Sequence, residues 1–144
     1  MSLTMNTTQT ATKENVLKNI AKNATIMATN DTLSNAYNLI DGNSDTYWTS
    51  YGCNAANSYV EFVFEEEKEF NAINIEEFTS LGHNVDKFKI YAHRNDGWFE
   101  LFNGETIGDS LTANFPTVKT SKVKVLFLQY INAPTIKNIS IYNK

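Results

Sequence analysis

Short runs in which apolar and polar side chains alternate are the feature of this 144-residue chain that most limits its fold. In residues 59–64, Val60, Phe62 and Phe64 fall on one face of the run and their neighbours on the other. The same alternation recurs in residues 72–78, 87–93 and 122–130. A period of two is that of a half-buried β-strand, and no long helical period competes with it. The pattern predicts an all-β sandwich of about eight short strands.

Turn signals separate these runs. Asn95-Asp96-Gly97 lies between residues 87–93 and residues 98–102, and this composition predicts a β-hairpin. Further strands are predicted at residues 23–29, 111–115 and 136–142. Trp48 and Trp98 both follow the strand pattern, so we expect both rings to belong to the core.

One loop has a composition that suits either a cation site or an ordinary tight turn. Residues 41–46 read Asp-Gly-Asn-Ser-Asp-Thr, and short oxygen-bearing side chains around a glycine suit a tight turn that aims several oxygens at one point. A hard cation such as Ca²⁺ binds about six to eight such oxygens, but an ordinary turn has the same composition. The loop is not an EF-hand, because that pattern ends in a glutamate at its twelfth position and Gly52 stands there.

Length and charge limit the classes of partner. The chain is long enough for one core and too short for two, and we expect residues 1–18, which are polar and without a period, to be a linker before a domain at residues 19–144. The net charge of −4 without a basic stripe argues against nucleic acid, and no apolar run approaches the roughly 20 residues of a membrane span. Cys53 is the only cysteine, so an internal disulfide is excluded.

The glutamates gather in the first half of the chain, and we expect them on solvated strand faces and at protected sheet edges. Glu76 and Glu77 belong to this group. Neither histidine, His83 or His93, lies in a recognised nucleophile motif, and the sequence therefore gives little support for a catalytic role.

The run from Ala36 to Trp48 resembles the A-x-x-x-x-D-G-x-x-x-T-x-W signature of the coagulation factor V/VIII type C family, also called discoidin domains. In bacteria this family includes the family 32 carbohydrate-binding modules. Other similar stretches follow in the family's order at residues 19–24, 81–88, 106–108 and 133–142. The later ones look most like the domain appended behind the catalytic domain of bacterial family 29 α-L-fucosidases. The resemblance implies a discoidin-like jelly-roll β-sandwich whose first and last strands lie together.

The resemblance also implies a structural Ca²⁺ ion between the loop and the last strand. Its ligands carry over by position to Asn38, Asp41, Asn43, Thr46 and Asn138. The family usually has a glutamate where Asn138 stands, so one negative charge is missing and we expect weaker binding. In the alternative interpretation, Asn138 hydrogen-bonds the loop directly and no metal is needed.

Sugar-binding members of the family hold their ligand in a shallow cleft made by loops near the calcium. Such a cleft needs an aromatic ring and planar polar groups. The candidates on these loops are Tyr51, Asn54, His83, Asn84, Gln129 and Tyr130. Each also has a structural interpretation: His83 could hydrogen-bond a neighbouring loop, and Tyr130 could belong to the rim of the core.

The resemblance implies a non-catalytic carbohydrate-binding module of a secreted bacterial glycoside hydrolase, most simply an α-L-fucosidase, located outside the cell or in the periplasm. Its expected partners are a glycan containing galactose, fucose or an amino sugar, and the catalytic domain of the same parent chain. The alternative is a structural β-sandwich that supports the catalytic domain without sugar affinity. A membrane-binding discoidin domain would favour exposed apolar spikes and basic loops, which the sequence lacks.

Overall fold

The computed structural model describes residues 17–30, 34–51 and 57–144. These ranges contain seven β-strands and three short 3-10 helices. The strands are β1 (Thr25–Ala28), β2 (Trp48–Thr49), β3 (Ser58–Glu77), β4 (Val85–Arg94), β5 (Gly97–Gly104), β6 (Leu111–Tyr130) and β7 (Thr135–Tyr142). The 3-10 helices span Ile20–Asn23, Ala36–Ile40 and Thr79–Leu81.

Two long strands, β3 and β6, join the two layers of the sandwich. The first part of β3 pairs with β1 and with the second part of β6, which continues the sheet to β4 and β5. The second part of β3 pairs with β7 and with the first part of β6, and β2 adds to the free side of β7. All of these pairs are antiparallel. The predicted all-β sandwich is confirmed.

In the described part of the chain, two predicted pairs of strands are each one continuous strand. Residues 59–64 and 72–78 were predicted as separate elements, since the acidic residues between them break the alternation. In the structure β3 runs through this segment with a register shift between Val63 and Lys68. Glu65, Glu66 and Glu67 are exposed there, as expected where a strand leaves one layer for the other and neither face is covered. Residues 111–115 and 122–130 likewise belong to the single strand β6.

The two tryptophans differ in burial. Trp48 is fully buried, its ring centroid lies 5.9 Å from that of Phe127, and its Nε1 donates a hydrogen bond to the carbonyl of Thr29 at 2.9 Å. Trp98 is 36% exposed on the outer face of β5, with the Lys124 ammonium 4.3 Å above its ring. The prediction that Trp98 is a core residue is therefore wrong.

The beginning of the described chain lies against its last strand. The side-chain oxygen of Asn19 accepts hydrogen bonds from the amides of Ala21 at 3.0 Å and Ile141 at 2.9 Å. The first of these caps the 3-10 helix that begins at Ile20, and the second ties it to β7. Residues 1–16 of the predicted linker lie outside the described residues, so the boundary at residue 18 stays a prediction. Within the described ranges, no helix has the length and apolar character needed to cross a membrane.

Candidate functional site

The loop of residues 41–46 is closed by its own side chains. Asp41 Oδ1 accepts a hydrogen bond from the amide of Asn43 at 2.9 Å, and Asp41 Oδ2 accepts one from Thr46 Oγ1 at 2.6 Å. The side-chain oxygen of Asn43 accepts from the amide of Asp45 at 2.9 Å, which repeats the same turn two residues on. Gly42 has a φ of 72°, a left-handed conformation that favours glycine. The composition of the loop therefore dictates its shape.

This loop lies against the last strand. Gly42, Asn43 and Ser44 line a hollow of about 180 Å³ together with three strand residues, Glu76, Lys137 and Asn138. The side-chain amide of Asn138 donates to Ser140 Oγ at 2.9 Å, and the side-chain amide of Asn38 donates to the carbonyl of Tyr47 at 2.9 Å. Of the five predicted calcium ligands, Asn43 and Asn138 line this hollow, whereas Asn38 and Thr46 line a different one and Asp41 lines neither. The predicted ligand set therefore stays a prediction.

The donor types at this place fit a hard cation, but their charge is low. Carboxylate, hydroxyl and amide oxygens are the ligands that Ca²⁺ prefers. Asp41 supplies the single carboxylate of the predicted ligand set, and the lining of the hollow carries one residue of each charge, Glu76 and Lys137. Among the described residues, no three His, Cys, Asp or Glu side chains gather closely enough to hold a metal ion.

A cleft opens beside the loop at the same end of the sandwich. Its volume is about 300 Å³, and three segments form it: the chain around β2, the segment after β3, and the turn between β6 and β7. The residues that line it are Tyr47, Thr49, Tyr51, Leu81, Asn84, Asn132, Ala133 and Thr135. Tyr51 is 71% exposed, and the ring of Tyr47 is stacked on Phe78 with centroids 4.6 Å apart. The cleft therefore combines aromatic rings with carboxamides and hydroxyls.

The predicted sugar contacts are divided between the cleft and its surroundings. Tyr51 and Asn84 line the cleft. His83 is exposed beside Gly108, Gln129 is exposed near the end of β6, and the Tyr130 hydroxyl accepts a hydrogen bond from Ser58 Oγ at 3.2 Å. These three do not line the cleft. Asn54 lies outside the described residues.

Several cleft residues were missed by sequence reasoning. Tyr47, Leu81 and Asn132 are the clearest of them. The signal for Tyr47 was present: Trp48 points into the core, so its neighbour in an extended segment points outward. Leu81 and Asn132 lie in turns that only the tertiary fold brings together.

A buried carboxylate holds one wall of the cleft in place. Glu77, at the end of β3, is fully buried, which corrects its expected place on a solvated face. Its Oε1 accepts hydrogen bonds from the amides of Asn84 at 2.7 Å and Val85 at 3.1 Å, and its Oε2 accepts one from Gly108 at 2.8 Å. Three backbone donors satisfy the buried charge, as such a group requires. Glu77 thereby fixes the position of Asn84.

The family can be stated at this point. A family model described as F5/8 type C domain matches residues 6–140, which is most of the chain. The chain belongs to the F5/8 type C family. Domains of this family are non-catalytic, which confirms the prediction that this domain is not an enzyme. Comparison with curated protein sequences gave no significant match.

Solved structures share the fold of this F5/8 type C domain at low sequence identity. A putative α-L-fucosidase from Bacteroides thetaiotaomicron superposes with a TM-score of 0.78 and 20% identity, over 88% of this chain and 29% of that one. The family 32 carbohydrate-binding module of Clostridium perfringens NanJ, in complex with galactose, gives a TM-score of 0.75 and 22% identity over 89% of this chain and 100% of that one. CpGH89CBM32-5 from Clostridium perfringens, in complex with GalNAc-β-1,3-galactose, gives a TM-score of 0.74 and 16% identity over 85% of this chain and 96% of that one.

These likenesses confirm the discoidin-like jelly-roll sandwich that the resemblance implied. The F5/8 type C domain spans about three-tenths of the length of the longer relatives that it matches.

Proposed function

We propose that this F5/8 type C domain is a carbohydrate-binding module that holds a glycan in the cleft beside Tyr51. The observation that carries the proposal is an aromatic ring, 71% exposed, at the edge of a cleft whose walls also carry Asn84 and Asn132. An exposed ring packs on the C–H face of a pyranose, and carboxamides both donate to and accept from its hydroxyls. The galactose and GalNAc-β-1,3-galactose complexes of two structural relatives support the same ligand class.

The module would belong to a larger, secreted bacterial glycoside hydrolase, of which a fucosidase is the best supported type. The support is the likeness to a fucosidase chain of which this domain spans 29%. A single weak sugar site would act by raising the local concentration of substrate at the neighbouring catalytic domain. This role explains a shallow site with few polar groups and no reaction of its own.

Replacing Tyr51 with alanine tests the proposal directly. Titration of galactose, N-acetylgalactosamine and fucose, followed by calorimetry or NMR, is expected to give a Kd in the millimolar range for at least one sugar. Tyr51→Ala removes the stacking surface and should weaken that Kd about tenfold, the equivalent of about 1.4 kcal/mol. Tyr37→Ala is the matched control, because Tyr37 is 45% exposed and does not line this cleft. If no sugar binds at tens of millimolar, the domain is a structural support and the proposal fails.

We further propose that the loop and last strand bind Ca²⁺ weakly through Asn38, Asp41, Asn43, Thr46 and Asn138. The hollow lined by Asn43 of the loop and Asn138 of the last strand supports this. Oxygen atoms of these five residues would hold the ion, and its charge would offset that of the Asp41 carboxylate. At a concentration of about 100 times its Kd, calcium would add about 2.7 kcal/mol to stability.

Restoring the missing charge should strengthen calcium binding. Asn138→Glu adds a carboxylate to the ligand set, and the calcium concentration that half-saturates the rise in Tm should fall roughly tenfold. The measurement is thermal unfolding of chelator-treated protein against calcium concentration. Asp41→Asn, which removes the existing carboxylate, should abolish the response. A calcium response that survives Asp41→Asn, or that Asn138→Glu leaves unchanged, would contradict the assigned ligands.

A further inference from the structure

A second hollow adjoins the cleft and shares a wall with it. Its volume is about 450 Å³, and Tyr47, Thr49 and Tyr51 line both spaces. Its other lining residues are Asn30, Ser34, Asn35, Asn38 and Thr46. Because Tyr51 is the most exposed of the large hydrophobic side chains described, it stands as a ridge between two open spaces.

The polar groups of the hollow are held in fixed orientations. The Asn30 amide donates to the carbonyls of Thr49 at 3.1 Å and Tyr51 at 3.0 Å, so both amide hydrogens are used and the side-chain oxygen is turned the other way. The Asn38 amide is anchored in the same manner on the carbonyl of Tyr47. The Asn35 oxygen accepts from the amide of Tyr37 at 2.9 Å, which leaves its NH₂ group to donate. The hollow thus presents oriented acceptors and donors without rearrangement.

The charge of the lining selects the ligand class. The eight described residues that line the hollow are uncharged asparagine, serine, threonine or tyrosine. A phosphate, sulfate or uronic acid is recognised by arginine or lysine, and the described lining supplies neither. Neutral hydroxyl groups, which donate and accept at once, match carboxamides and hydroxyls. The fitting occupant is therefore a neutral sugar.

We infer that the cleft and the hollow are two subsites of one binding site, built for at least a disaccharide of neutral sugars that crosses the Tyr51 ridge. The inference rests on the proposed sugar binding and goes beyond it by assigning the second subsite to Asn30 and Asn35. The first sugar lies against Tyr51, Leu81 and Asn84 in the cleft. The second sugar lies in the hollow, and Thr49 forms the floor beneath the linkage.

The test compares monosaccharides with disaccharides. Galactose, N-acetylgalactosamine and fucose are titrated beside lactose, GalNAc-β-1,3-galactose and fucosyl-α-1,2-galactose, and at least one disaccharide should bind about tenfold tighter than either of its component sugars. In the NMR spectrum, the monosaccharide should shift the amides of Asn84 and Ala133, and the disaccharide should in addition shift those of Asn35 and Asn38.

A substitution in the hollow separates the two subsites. Asn35→Ser keeps an oxygen that can cap the 3-10 helix and removes the amide donor. It should remove most of the disaccharide gain and leave monosaccharide affinity unchanged, whereas Tyr51→Ala weakens both. If monosaccharides bind and no disaccharide binds more tightly, the second subsite is wrong and the proposed function stands. If nothing in the panel binds, both are overturned.

Discussion

Glu77→Ala is expected to lower the free energy of unfolding by about 3 kcal/mol or more. The substitution leaves the amide of Val85, which is buried, and those of Asn84 and Gly108, which are half-buried, without the carboxylate that accepts their hydrogen bonds. A fully buried donor left unsatisfied costs about 1–3 kcal/mol, and a half-buried one costs less. Water entering the space would recover part of the loss. Urea unfolding followed by intrinsic fluorescence measures the change. The same variant should lose hydrogen-exchange protection at these amides before the sheets open.

Neighbouring substitutions serve as controls for this result. Glu76→Ala removes the adjacent carboxylate, which is half-buried on the outer face of β3, and should cost no more than about 0.5 kcal/mol. Glu77→Gln keeps the shape but turns an NH₂ group toward at least one backbone N–H, so its cost should lie between the two. A Glu77→Ala variant as stable as Glu76→Ala would show that solvent already satisfies the three amides.

The sequence contained a signal for the burial of Glu77. Ile73 and Ile75 are inner-face residues of β3, and Glu77 has the same parity, so alternation places its carboxylate inside. The expectation of a solvated glutamate followed the residue type, because unpaired buried carboxylates are rare. Its partners lie in segments 7 to 31 residues away, and no local pattern announces them.

Trp98 was misplaced for a related reason. In β5 the ring shares its face with Glu100, while Phe99 and Leu101 pack against the core. The alternation of the strand was visible in the sequence. Because the adjacent aromatic residues Trp98 and Phe99 fall on opposite faces, however, the alternation did not show which face is buried. The hairpin itself was predicted correctly, with Asn95 in the left-handed conformation at a φ of 55°.

The cleft shows where prediction from sequence stops. The turn at residues 41–46 could be predicted from the sequence, because its hydrogen bonds join residues no more than five positions apart. Tyr51 and Asn84 were selected as loop residues, and the fold brings them together. Asn132 and Leu81 join them through the pairing of β3 with β7 and the turn after β6, which depend on contacts distant in sequence.

Trp48→Ala is expected to cost about 3–5 kcal/mol, the range for removing a large aromatic side chain from a packed core. Trp48 is fully buried against Phe127, and its indole N–H satisfies the carbonyl of Thr29. The substitution loses both the packing and this hydrogen bond. Urea unfolding at 25 °C should show a much lower midpoint, and Trp48→Phe, which restores part of the volume, should recover part of the loss.

Trp98→Ala is the matched control, because it removes the same side chain from the outer face. It should cost about 1 kcal/mol or less, mainly the contact with the Lys124 ammonium. The difference should extend to binding: Trp48 anchors Thr29, and the next residue, Asn30, holds the carbonyls of Thr49 and Tyr51. Trp48→Phe should therefore weaken sugar affinity even at temperatures where the domain stays folded, while Trp98→Ala should not. Equal effects of the two substitutions on stability would show that Trp48 is not the centre of the core.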